Sequence, residues 1–260
     1  MIPGCALLLF QIPACNAQAP AEFPLVRAHA HNDYLHSRPL ADALAHHFWS
    51  VEADVWLING ALLVAHDLDK TSSERTLQKL YLDPLQAFVR TNSAVRGSPP
   101  ITLLIDVKSE AEATYAALRV VLKAYADIMT GFESGRIRTN AVMAIISGNR
   151  AEATMRSEFI RYAALDGRLP DLDRNLPVAL MPLISDNWTK HFQWRGIGEM
   201  PSADKVKLLD LVQRTHAQGR RLRLWAAPDN PGGWKALNDA SVDLLNTDHL
   251  EEMEIFFRKR

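Results

Sequence analysis

Three histidines, three carboxylates and a lysine stand at or near the ends of apolar runs in the first half of this chain. His29 and His31 follow PLVR, Glu52 and Asp54 lie in WSVEADVWL, His66 closes ALLVAH, and Asp106 and Lys108 end ITLLIDVK. Imidazoles titrate near working pH and can pass protons, and carboxylates can hold a hard cation through oxygen. Together they suit a metal-assisted hydrolase or lyase. Charge placed in so apolar a setting must be paired or metal-bound, because an isolated buried charge costs several kcal/mol or more. Glu52 and Asp54 lie two residues apart and share one face of a strand, as do Asp106 and Lys108.

These residues need a scaffold that brings strand ends together. From residue 20 onward, strand-like and helix-like segments alternate. The first strand is followed by a helix over Pro39–His47, a strand over Ser50–Leu57 and a tight hairpin at Asn59-Gly60. A helix over Thr76–Val89 leads into the Ile101 strand. The helix over Glu110–Ile128 has Ala113, Ala116, Ala117, Val120, Val121 and Ala124 as its expected apolar face. AVMAII, FIRYAALD, PVALMPLIS, RLRLWAAP and VDLLNTD supply further strands. Between them fall a short helix near Glu152, a helix over Ser202–Gln218 with Val206, Leu209 and Val212 inward, and a short helix over Pro231–Asn238. Eight strands, leaving out the hairpin's second arm, predict an α/β single-domain (β/α)₈ TIM barrel, whose active sites lie at the C-terminal strand ends. A chain of 260 residues suits one such domain.

Composition narrows the function. The formal net charge is -1 and 48% of residues are hydrophobic, which favours neither disorder nor nucleic acid as a partner. Residues 1–19 read as a signal peptide preceding a domain over 20–260, with small residues at Ala17 and Ala19 suiting cleavage and too few apolar residues for a transmembrane span. The expected localisation is therefore exported, periplasmic or secreted. A lipid anchor at Cys15 is the minority alternative. Both cysteines fall in this leader, so the remaining chain would carry no disulfide.

The order His-Ala-His-Asn, Glu-Ala-Asp, His-Asp and Asp-Val-Lys resembles the PI-PLC-like phosphodiesterase superfamily, which includes glycerophosphodiester phosphodiesterases. The wording HNDY, RPL, SVEADVWL, LLVAHD and the NTD ending resembles a branch containing the altered inheritance of mitochondria proteins. The resemblance runs from about Ala28 to Leu250. It implies a TIM barrel and one divalent cation, Mg²⁺ or Ca²⁺, held by Glu52, Asp54 and Asp106. It also implies two proton-transferring histidines, one being His66 and the other His29 or His31. Lys108, Asn32, Trp225 and Asp248 would contact substrate. The implied activity is phosphoric diester hydrolysis of a small glycerophosphodiester or lipid-type substrate, with peripheral membrane contact left open. The glycerophosphodiesterase His-Arg-Gly and Glu-Asn-Thr motifs are missing, and the arrangement is nearer to the sphingomyelinase D type.

Two other functions fit parts of this pattern. His29-Ala30-His31 with Asp248 is similar to metal-dependent amidohydrolases, which would need a Lys or Glu on the fourth strand and histidines on the fifth and sixth. A barrel that binds a phosphate ligand without turnover would keep the fold alone. Among the remaining residues, His46 and His47 suit a helix C-terminus, and His191, His216 and His249 suit structural roles. Trp188, Trp194 and Trp234 fit a substrate rim or internal packing equally well.

Overall fold

Side chains alternate across a strand, so an apolar segment interrupted by polar residues at every second position has one face for helices and one for a barrel interior. The chain uses this alternation throughout. Its computed structural model describes residues 24–92, 95, 97–133 and 135–259. The expected leader and both cysteines lie outside the described residues.

In chain order the elements are β1 (Leu25–Ala30), α1 (Ala41–Ala45), β2 (Phe48–Ile58), β3 (Ala61–Val64), α2 (Asp83–Thr91), β4 (Ile101–Val107) and α3 (Ala111–Ala124). Then come β5 (Gly131–Glu133), β6 (Arg136–Arg138), β7 (Val142–Gly148), α4 (Glu152–Ser157), β8 (Ile160–Arg161) and β9 (Ala163–Gly167). β10 (Leu183–Asn187), α5 (Trp188–His191), α6 (Ser202–Ala217), β11 (Arg221–Trp225), α7 (Pro231–Asp239), β12 (Leu245–Thr247) and α8 (Leu250–Arg258) complete the chain. The sheet runs β11-β10-β9-β7-β4-β2-β1-β12, with every neighbouring pair parallel. A parallel bridge between Arg223 and Leu244 all but closes the ring. This is the expected single-domain TIM barrel of eight strands.

The described residues form three apolar clusters, the smallest being Phe132, Ala164 and Ala179. Ala28, Val51, Ala53, Leu103, Ile105, Ala144, Ile146, Leu165, Ile184 and Leu222 belong to the large core that also takes in helix residues such as Tyr115, Leu118, Leu208 and Leu237. Leu104, Ile145, Leu183 and Leu244 form a separate small cluster inside the ring. Other interior positions carry polar groups, among them His29, Ser50, Glu52, Asp54, Thr102, Ser147, Asp166 and Arg223, all buried.

The β2–β3 hairpin forms as expected. Asn59 and Gly60 both have positive φ, 49° and 79°, as a two-residue turn of this type requires. Two helix faces differ from expectation. On α3 the buried residues are Thr114, Tyr115, Leu118 and Leu122, and Val120 is exposed. On α6 they are Leu208, Leu211, Val212 and Thr215, and Val206 and Leu209 are exposed. Alanine marks helix propensity more than burial, and the larger side chains bury more apolar area per residue. The PVALMPLIS segment is strand only from Leu183, because Pro177 to Met181 make turn hydrogen bonds first. FIRYAALD divides into β8 and β9, and β8 joins β5 and β6 in a small antiparallel sheet that periodicity does not reveal. Trp188, Trp194 and Trp234 are buried, so they pack internally.

Candidate active site

Strand register sets the first row of the site. Asp54 pairs with Asp106, and Asp106 with Ser147, so three neighbouring strands present these side chains side by side at the barrel mouth. Glu52 lies two residues deeper on β2. Ligand atoms of Glu52, Asp54 and Asp106 all lie within 4.8 Å of one another, a cluster able to hold a metal ion. Asp54 Oδ1 and Asp106 Oδ1 are buried without a hydrogen-bond partner. Buried carboxylate oxygens are normally satisfied, so two unpartnered ones aimed into one acidic cluster fit a hard cation that binds through oxygen. Gly148, φ 65°, makes room for this arrangement, since a Cβ there would lie 2.0 Å from Asp106 Oδ1.

The other oxygens are spoken for. Lys108 Nζ stands 3.0 Å from Asp54 Oδ2 and 2.8 Å from Asp106 Oδ2. Tyr34 O–H, buried, donates to Asp54 Oδ2 at 2.8 Å. Burial pushes the Asp54 carboxyl up to about 6, with the Glu52 charge adding and the Lys108 charge opposing. Burial works in the same direction on Glu52, yet the Arg223 guanidinium and the His29 hydrogen bond outweigh it and hold Glu52 well below the usual carboxylate range.

The two early histidines occupy different places. His29 is sealed in the barrel, with Nδ1 2.7 Å from Ser50 Oγ and Nε2 3.2 Å from Glu52 Oε2. Burial and the nearby Arg223 lower it to about 4, so it is neutral at physiological pH and donates Nε2–H to Glu52. His31 lines the cavity at the mouth. Its backbone N–H donates to Thr247 O at 3.1 Å, and its Nδ1 lies 2.9 Å from Asp248 Oδ1. A carboxylate only accepts, so Nδ1 carries the proton and Nε2 is left free. Burial lowers the His31 pKa, but the Asp248 hydrogen bond and the Glu52 and Asp248 charges outweigh it and the net shift is upward.

The hairpin supplies the remaining histidine. Ala65 N–H continues the β2–β3 ladder to Asp54 O at 3.1 Å, which carries His66 to the cavity edge. His66 Nδ1 lies 3.0 Å from Asp67 Oδ1, so this ring is also oriented by an aspartate. His31, Asn32, Glu52, Asp54, His66, Asp106, Lys108 and Trp225 line one cavity of about 260 Å³ together with Ser147, Gly148, Arg168 and Arg223. Asp248 stands behind His31, and His29 behind Glu52.

The family model described as AIM6-like phosphodiesterase domain matches residues 20–98. Altered inheritance of mitochondria protein 6 of Eremothecium gossypii is 29% identical over 89% of this chain and 69% of its own length. The protein of the same name from Lachancea thermotolerans is 29% identical over 87% of this chain and 64% of its own. This chain is thus similar to the AIM6-like phosphodiesterase domain in its first part and to these curated relatives along most of its length. It spans about two thirds of the length of those curated relatives. A crystal structure of glycerophosphodiester phosphodiesterase from Agrobacterium tumefaciens shares the fold, with TM-score 0.51 at 14% identity over 89% of this chain and 99% of that one. The architecture is a phosphodiesterase-type barrel. β7, the fourth barrel strand, carries neither Lys nor Glu, and β9 and β10, the fifth and sixth, carry no His, so the requirements of an amidohydrolase on those strands are unmet.

Arg168 and Arg223 were not singled out from the sequence. Arg168, just past β9, holds Asp166 Oδ2 at 2.9 Å and reaches Ser147 Oγ at 3.3 Å. Arg223 pairs with Glu52 and donates to Asn246 Oδ1 at 3.0 Å, fully inside the barrel. A signal existed: Arg221 and Arg223 alternate with Leu222 and Leu224, which turns both arginines to one face. Arg223→Ala is expected to destabilise the fold by about 3–5 kcal/mol, because Glu52 would keep a buried charge beside a neutral histidine. Urea denaturation measures this, and a loss below about 1 kcal/mol would show the pair to be dispensable.

Proposed function

We propose that the chain is a metal-dependent phosphoric diester hydrolase acting on a small glycerophosphodiester or phospholipid-type substrate. One observation carries this reading: two unpartnered buried carboxylate oxygens share a single cavity with two histidines, each oriented by its own aspartate. Glu52, Asp54 and Asp106 would hold Mg²⁺ or Ca²⁺. When bound, such an ion neutralises charge on a non-bridging phosphate oxygen.

The chain's own side chains account for the rest of the chemistry. Lys108 and Arg168 line the cavity and offer N–H donors to the phosphate. His31 Nε2 takes the proton of the attacking hydroxyl, and His66 Nε2 returns one to the leaving oxygen. Asp248 accepts Nδ1–H of a neutral His31 and leaves its Nε2 free to take a proton, whereas Asp67 accepts Nδ1–H of a doubly protonated His66, whose Nε2–H is the proton given up. His29 keeps Glu52 ionised and oriented without meeting substrate. Asn32 holds the turn after β1 through its side-chain amide, 2.8 Å from the Tyr34 hydroxyl oxygen.

The test is hydrolysis of bis(p-nitrophenyl) phosphate by the purified chain with EDTA, followed by Mg²⁺ or Ca²⁺ restored. Metal-restored turnover that the His66→Ala chain lacks is the expected result. Turnover indifferent to both EDTA and the substitution would overturn the reading. A pH–rate profile gives a further check. Asp248 raises the His31 pKa, so Asp248→Asn is expected to move the limb set by His31 to lower pH, and an unmoved limb would exclude the pairing from the chemistry.

A further inference from the structure

A second and larger cavity, of about 660 Å³, opens beside the first. The two share Asn32 and His66. Its other walls include Tyr34, Leu35, Lys70 and Arg75, from the turns after β1 and β3, and Asp67, whose carboxylate is engaged by His66 Nδ1 at 3.0 Å. Arg75 is half-buried, and its Nη2 donates to Tyr34 O at 2.5 Å. No carboxylate pairs with Arg75 among the described residues, whereas Arg168 and Lys108 at the same barrel mouth each have one. A guanidinium carries five N–H donors in a planar fork, so Arg75 keeps most of its donors for something that enters the cavity. Lys70 adds a second positive charge, paired only at 3.5 Å with the exposed Asp69. Leu35, which is 69% exposed, contributes an apolar wall.

We propose that this cavity is a leaving-group subsite and that it selects phosphodiesters whose leaving alcohol bears a second anionic group, a phosphate or a carboxylate, received by Arg75 and Lys70. The inference rests on the phosphodiesterase reading above. It also assigns the proton carriers. His66 stands on the border between the cavities, so as the bond from phosphorus to the leaving oxygen breaks, that oxygen takes its electron pair and receives the proton of His66 Nε2. Water forms the new bond to phosphorus from the other side of the site and gives its proton to His31.

Equilibrium binding tests this without relying on turnover. Isothermal titration with Mg²⁺ present would compare monophosphates of propane-1,3-diol, butane-1,4-diol and pentane-1,5-diol with their bisphosphates. At least one bisphosphate is expected to bind about tenfold or more tightly than its monophosphate, as a bidentate arginine contact warrants. Arg75→Ala should collapse that ratio toward one, Lys70→Ala should narrow it, and Arg75→Lys should restore part of it. Arg75 also steadies the Tyr34 turn, so the exposed Lys70 variant separates loss of charge from loss of fold. Monophosphate binding with no bisphosphate advantage in the unmodified chain would overturn the subsite, as would an advantage that survives Arg75→Ala and Lys70→Ala together. Failure of every phosphate to bind would instead overturn the phosphodiesterase reading on which the subsite depends.

Discussion

Asp54→Asn is expected to lower metal-dependent phosphodiester turnover by about 10³-fold or more, since metal stabilisation of phosphoryl charge is worth several kcal/mol and each step of about 1.4 kcal/mol is tenfold. The substitution keeps the side-chain shape and the acceptor for Tyr34 O–H while removing the charge next to Asp106. Metal affinity measured by calorimetry should fall with the rate. Stability should move the other way. The folded-state pKa of Asp54, about 6, lies above its ordinary 3.8, so the group's contribution is favourable below its ordinary pKa and is lost as pH rises through about 6. At pH 7 the ionised carboxylate therefore destabilises the metal-free chain. The amide of the variant carries no such charge, and the melting temperature without metal should hold or rise. A variant that melts lower and still binds metal as before would show Asp54 to be a structural partner of Lys108 only.

His31→Ala is expected to reduce turnover by about 10²–10⁴-fold, the usual range for a general acid or base, with little change in stability. The ring is 31% exposed on its side-chain surface and its hydrogen-bonded partner, Asp248, is 52% exposed, so water can replace the lost contact. His29→Ala should behave in the opposite manner. Its ring is fully buried between Ser50 and Glu52, and removing it leaves Ser50 Oγ without a partner and takes one hydrogen bond from Glu52, which keeps Arg223, at a cost of about 1–3 kcal/mol. The pair of variants divides chemistry from support by two readouts, initial rate and denaturation midpoint. If His29→Ala lost turnover at full stability and His31→Ala did not, the two roles would be exchanged.

The contrast between these histidines illustrates where sequence reading stops. They are two residues apart on the first strand, and both suit the spacing of the motif. Alternation puts both on the inward face, but depth along the barrel axis decides which meets the cavity. That depth follows from register with β2 and β12, where His29 pairs with Ser50 and Asn246. Likewise Asp248 is close to the cavity in strand position but serves His31 from behind.

The residues from Arg27 to Asp67, the Asn59-Gly60 turn, the Asp106–Lys108 strand end and the count of eight barrel strands are legible in the chain itself. Each is a local property: a period of two, a turn dipeptide, or a costly charge inside an apolar run. The buried faces of α3 and α6 are not legible in this way, because small residues resemble an apolar stripe until the neighbouring layer decides which side is covered. The Arg223–Glu52 pair joins residues 171 apart, and the cavity that Arg75 lines is walled by two separate turns. Only ring closure brings such groups together. Local sequence specified the strands and the chemistry they carry, whereas the tertiary structure decided which charges neutralise one another and which remain available to a ligand.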